Sequence, residues 1–338
     1  MIKGYIQREN CFTFLRYFFA FCIFCNHLCF TTGNERFLCN GIIFVNGFFI
    51  ISGFLTFNSF VKNPDIKTFA LKRIRRILPA YFIAVVLGFF IGMALTSLDL
   101  SDFISRAETW KYLGANMLFL NHFQPTLPGV FENNAMPFIN SSLWTMKIEI
   151  AFYISVPVVY ALMRKFGKNR VLVMIVLFSV LYSIVTKELY EHTHKEIYNI
   201  LNHQIPGELS FFYAPVLMLL NLEKVERMYK WLVPFSVVLF LVSFPLYKIY
   251  YISPLYLTVL IIFFAYKAEP YIKAYRWRDI SYEFYLLRFP VLQIVVYAGF
   301  TNSLLLIAIV ALTVTILAAV VLHMVCRRIS KVLPPRQA

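Results

Sequence analysis

FTFLRYFFAFCIFCNHLCFT, residues 12–31, decides what kind of chain this is. Twenty residues this apolar are enough to cross a bilayer as a helix, at about 1.5 Å per residue against a hydrocarbon core of about 30 Å. Yet the run carries two ionisable side chains, Arg16 and His27. Eleven positions apart, they fall on one helical stripe, within about 20° of each other and roughly 16 Å apart along the axis. Ala20 and Ile23 lie between them on that stripe. A titratable group inside a membrane helix is costly and normally faces protein or water. Two readings stand side by side. One is a snorkelling arginine near one end and a hydrogen-bonded core histidine near the other. The other is a functional column with His27 near one membrane face.

Outward from this stretch the pattern repeats. The chain has 338 residues, 60% of them hydrophobic and 14% charged, and its mean hydropathy is +0.68. No soluble domain of this size needs so much apolar surface. The predicted fold class is all-α, a polytopic membrane bundle forming a single domain over residues 1–338. Ten spans are expected, at about 12–31, 41–61, 79–97, 144–163, 171–186, 207–222, 231–247, 254–266, 280–298 and 303–324. The first is too long, and lacks the small-residue cleavage site, for a removable signal peptide.

A net charge of +15 raises the question of nucleic acid, but the placement of the charge argues against it. The two termini and alternate loops hold 23 Lys and Arg, and the opposite loops hold 6. Arg16, Lys147 and Arg288 lie inside spans. This asymmetry predicts that both termini are cytoplasmic. Attraction to anionic membrane lipid or to an anionic cofactor is its second consequence. Cys22, Cys25 and Cys29 follow ligand-like helical spacing, but His27 points away from Cys25, so they read as polarizable packing and no metal site is expected. The short loop after the first span holds Cys39.

Several stretches suggest chemistry beyond packing. In GIIFVNGFFIISGFL, 41–55, Gly41, Gly47 and Gly53 suit close helix approach, and Asn46 and Ser52 read as hydrogen-bond glue or as contacts to an acceptor. In KNPDIKTFALKRIRRIL, 62–78, Arg73 and Arg76 stand one turn apart. Besides setting topology, such a pair suits a phosphate, because each guanidinium is a planar bidentate donor. Residues 98–143 form the longest outer segment, with a lateral or re-entrant helix expected at 110–120 and irregular backbone after it that must be shielded by protein or wet. Glu149 lies about five residues inside the fourth span and His27 about four inside the first, at similar depth. A carboxylate orienting an imidazole makes a general base. Further on, His192 and His194 read as solvated loop residues, Glu208 as another acid at the outer boundary, and Arg288 as a buried cation in need of a partner, Glu149 being nearest by depth.

Taken together, these motifs resemble the acyltransferase-3 superfamily, membrane proteins that modify bacterial polysaccharides and lipid-linked sugars. Arg16 and His27 match its basic-residue-then-His first helix. FFIISGFL, 48–55, matches its second-helix phrase, and Arg73 with Arg76 its cytoplasmic Arg-x-x-Arg. SLWTMKIEIAFY, 142–153, matches its Trp-centred motif, and ISYEFYLLRFP, 280–290, its late helix. The chain departs from the pattern at Arg288, where many relatives have His, and at Ser141, where Gly is usual. No fused extracytoplasmic hydrolase-like domain is expected.

The resemblance implies an O-acyltransferase of the bacterial cytoplasmic (inner) membrane. Acyl-CoA, acetyl-CoA foremost, would be the donor substrate, with no other cofactor. A saccharide or lipid-linked saccharide would accept the group. His27 would be general base or transient acyl acceptor, supported by Glu149. Arg16, Arg73 and Arg76 would bind acyl-CoA. Asn46, Ser52, Trp144, Tyr282 and Arg288 would contact the acceptor or hold the structure. The rival from another class is a transporter or flippase of a saccharide or lipid-linked saccharide, which the same intramembrane charges and long outer segment would serve.

Overall fold

The computed structural model describes residues 11–33, 41–243, 247–272, 278–299 and 302–332. The expected N-terminal lead, the loop holding Cys39 and the end of the basic C-terminal tail lie outside these. Among the described residues the chain is helical, with no strand. The helices are α1 (Phe12–Thr32), α2 (Gly41–Lys62), α3 (Ile66–Leu95), α4 (Leu100–Ser105), α5 (Ala107–Met117), α6 (Trp144–Phe166), α7 (Lys168–Thr193), α8 (Glu196–Asn202), α9 (Ile205–Leu220), α10 (Leu222–Val242), α11 (Ser253–Lys267), α12 (Glu269–Ile272), α13 (Ser281–Tyr297) and α14 (Leu304–Val332). Seven are long and apolar enough to cross a membrane, or eight if the pair around Asn221, bent by 108°, counts as one broken span. This is a multi-pass membrane protein.

Several boundaries differ from expectation, among them the seventh span, whose helix starts at Leu222, and two of the differences have a clear physical reason. Pro79 reads as the first residue of a span, since proline suits a helix start. Instead α3 begins at Ile66, where Asp65 Oδ2 accepts the Thr68 amide at 2.7 Å, and runs straight through Pro79. The carbonyl that Pro79 leaves without its helical donor, that of Arg75, meets Ser330 Oγ at 3.5 Å. The fifth span also runs on, so His192 lies in the last turn of α7. His194 caps that helix in the left-handed conformation, with φ of 51°.

By packing, the chain divides into two compact units, each drawn from three stretches. The first comprises Met1–Phe19, Ile42–Phe69 and Ile148–Arg278. Here α9 lies along α7 and α11, and α10 pairs with α11. Ser179 Oγ links α7 to α9, accepting the Ser210 amide at 2.9 Å and donating to the Gly207 carbonyl at 3.0 Å. The backbone of α9 comes so near α2 that a Cβ built on Gly53 would lie 2.0 Å from the Phe212 carbonyl oxygen. Around this crossing Phe152 stacks on Phe212 at 4.5 Å and receives the Phe49 ring edge-on at 5.2 Å.

The second unit comprises Ala20–Gly41, Ala70–Lys147 and Asp279–Ala338. In it α13 packs along α14. The long segment 98–143 folds back on α3 around Phe103, Tyr112, Leu127, Val130, Phe131 and Ile139. Gly88 and Gly92 of α3 leave room for Tyr112 and Leu127. The short helix expected at 110–120 is α5, a few residues earlier. Just beyond it Phe119 adopts φ of 62° and stacks on Tyr81 at 4.2 Å. The irregular backbone that follows is satisfied by amide side chains. Asn116 Nδ2 donates to the Tyr112 and Gln124 carbonyls at 2.7 and 3.1 Å, and Gln293 of α13 donates to the Phe138 carbonyl at 2.7 Å. That is the shielding such backbone needs at membrane depth.

Candidate active site

His27 sits on α1, which is uninterrupted through both Arg16 and His27. Beside it, Gly41 brings the start of α2 against the buried Asn26 side chain, where a Cβ would stand 2.5 Å from Oδ1. The His27 ring meets the ring of Phe289 edge-on, with centroids 5.0 Å apart and planes at 89°. Its Nδ1 is sealed from solvent and has no hydrogen-bond partner, while the side chain as a whole is only half-buried. A wall of packing, rather than an acceptor at Nδ1, orients the ring. Nε2 is then the nitrogen available to a substrate.

Phe289 and its neighbour Arg288 are carried by α13. Arg288 is fully buried, its guanidinium over the Tyr285 ring at 3.9 Å, and it directly precedes the Phe289 whose ring meets His27. Tyr285 is fixed in turn by Thr145 Oγ1, 2.9 Å from its hydroxyl. Pro290 has no amide hydrogen to give the carbonyl of Leu286, one turn earlier. Asn140 supplies the missing donor from outside the helix, with Nδ2 at 2.8 Å from that carbonyl. Its Oδ1 accepts the Ser142 amide at 2.9 Å and starts the turn that leads into Trp144 and α6. Asn140→Ala leaves a buried carbonyl unsatisfied one turn before Pro290. We expect a loss of about 1–3 kcal/mol of stability, read as a lower melting temperature in detergent, with Asn140→Asp retaining part of it.

In the first unit Glu149 has two hydroxyl partners on one oxygen. Tyr153, one turn along α6, donates to Oε1, and so does Ser52 of α2 at 3.4 Å. Ser52 and Tyr153 also meet each other at 3.3 Å. Sequence reading brought out Ser52 and Glu149 separately, and the structure joins them. Asn46 Nδ2 donates to the Tyr250 hydroxyl at 3.1 Å, a structural contact. Arg16 is half-buried.

At the start of α3, Arg73 is half-buried and Arg76 exposed, with Arg76 Nη2 3.7 Å from Asp279 Oδ2. Tyr282 donates its hydroxyl to the Ile77 carbonyl at 3.2 Å and so ties α13 to α3. Two imidazole–carboxylate pairs were not foreseen: His323 with Glu283 at 2.8 Å, and His203 with Glu208 at 3.1 Å. Neither has a spacing signature in the sequence, since one joins two helices and the other turns around a loop.

A family model described as an acyltransferase domain matches residues 9–324. The chain belongs to the acyltransferase-3 family. The matched stretch takes in nearly all of this acyltransferase-3 chain, including the helices that carry His27, Arg73, Glu149 and Arg288. No curated protein and no solved structure matches it. As a member of this family the protein is a membrane acyltransferase.

Proposed function

We propose that this acyltransferase spans the bacterial cytoplasmic membrane ten times, with both termini in the cytoplasm. It moves an acyl group, acetyl foremost, from cytosolic acyl-CoA to a sugar hydroxyl of a surface polysaccharide or its lipid-linked precursor. The observation that carries this reading is His27: a half-buried imidazole just over one turn inside the end of an apolar helix, walled by an aromatic ring, in a chain of an acyltransferase family. An imidazole so placed takes a proton from the acceptor hydroxyl as general base, or accepts the acyl group transiently.

The remaining roles follow from the chemistry of the donor. Arg73 and Arg76 hold the phosphates of coenzyme A. For Arg76 this means exchanging Asp279, a partly exposed ion pair worth at most about 1 kcal/mol, for a phosphate that takes two hydrogen bonds. Arg16 lines the inner end of the path for the acyl-bearing arm. Glu149, held by Ser52 and Tyr153, supports the charge that develops on His27. The test is mass spectrometry of surface glycans from cells with and without the chain, together with transfer from labelled acyl-CoA in isolated membranes. An acyl-sized mass difference that depends on acyl-CoA is expected. Saccharide flux with no acylation would favour a transporter instead.

A further inference from the structure

We propose that Arg288 is a catalytic residue: its guanidinium stabilises the oxyanion that forms on the acyl carbonyl during transfer. This rests on the acyl-transfer reading above.

Arg288 Nε and Nη1 are both shut off from solvent, and neither has a hydrogen-bond partner. No carboxylate pairs with Arg288 among the described residues. Burying a lone guanidinium in a membrane helix is costly, and a packed apolar side chain would serve a purely structural site better. The tyrosine stack does not discharge that cost. It covers a face of the guanidinium and leaves Nε and Nη1 without a partner. The group is also held still, because Tyr285 is fixed by Thr145 and the helix below it by Asn140. Arg288 stands next in sequence to the Phe289 that walls His27, and fixed, desolvated donors at such a site lower an acyl-transfer barrier because they need no reorganisation as charge appears.

In this step His27 takes the proton of the acceptor hydroxyl while the hydroxyl oxygen attacks the thioester carbonyl carbon. The carbonyl π pair moves to oxygen, and that oxyanion accepts from Arg288. Collapse restores the carbonyl and breaks the carbon–sulfur bond. The departing thiolate takes the proton from the His27 imidazolium, so the ester and the free thiol of coenzyme A are the products.

The experiment uses the full chain in membranes or nanodiscs, with acyl-CoA and a glycan acceptor. Arg288→Gln should lower kcat roughly a hundredfold and leave KM for acyl-CoA within about threefold. Arg288→Lys should keep more of kcat than Arg288→Gln. Millimolar guanidinium ion should restore part of the kcat lost in Arg288→Ala, which a purely structural role would not allow. Arg288→Gln turning over within about threefold of the parent sinks the proposal. So does a loss in every variant that follows melting temperature and resists guanidinium. Failure of the underlying reading shows elsewhere: the parent chain transfers no acyl group, or His27→Ala transfers at the parent rate.

Discussion

His27→Ala, expressed at the level of the parent chain, should lose acyl transfer by roughly a hundred- to ten-thousandfold, the usual worth of a positioned general base. The ring has one nitrogen sealed against packing and the other free, and α1 offers no second imidazole to replace it. His27→Gln should fare no better, since an amide hydrogen-bonds but does not carry a proton at neutral pH. The loss belongs in kcat, with the affinity for acyl-CoA nearly unchanged, because the donor's phosphates are assigned to Arg73 and Arg76. Combining His27→Ala with Glu149→Gln tests whether the two act as one unit. If they do, the double variant loses little more than His27→Ala alone; multiplied losses would make Glu149 independent of the imidazole. Parent-like activity in His27→Ala would end the assignment.

Gly53→Ala should be among the most damaging single methyl groups in the described protein. The new Cβ would stand 2.0 Å from the Phe212 carbonyl oxygen and 2.9 Å from its carbon. Both atoms are backbone, so no rotamer change relieves the clash. α2 and α9 must separate, and the Phe49–Phe152–Phe212 ring stack loses its fit. Overpacking of this kind typically costs about 1–3 kcal/mol, and a fixed backbone puts this site at the upper end or beyond. The result to look for is a sharp fall in folded protein recovered and in melting temperature. Gly114→Ala is the control. It lies inside α5 with nothing within 4 Å of its Cβ, so removing backbone freedom there should leave stability unchanged or raise it by up to about 1 kcal/mol. Equal behaviour of the two variants would refute the argument from close approach.

Helix positions were readable because an apolar run of membrane length has little use except to cross a bilayer. The glycines were readable as helix contacts for the same reason, although only coordinates tell that Gly53 meets backbone and Gly47 a phenylalanine ring. Prolines were the weak point. Pro79 read as a beginning, since nothing local announces that a serine 251 positions later would serve the carbonyl it frees. Asn140 escaped notice as a site residue for the same reason: its partner is the carbonyl freed by Pro290, 146 positions away. Arg288 was recognised as a buried cation, and charge balance suggested a carboxylate, whereas the group it rests on is an aromatic face. The tie between Glu149 and Tyr153 was legible at i, i+4, but the Ser52 contact depends on how α2 and α6 pack.

The length of α3 has a kinetic consequence. Thirty helical residues reach about 45 Å, some 15 Å more than an apolar slab of about 30 Å requires. Arg73 and Arg76 therefore ride on helix rather than on a floppy tether. A donor docking there as proposed would have no loop to tame, only two long side chains to quieten. Under that proposal, preference among acyl donors should show in how long each one lingers rather than in how fast it arrives.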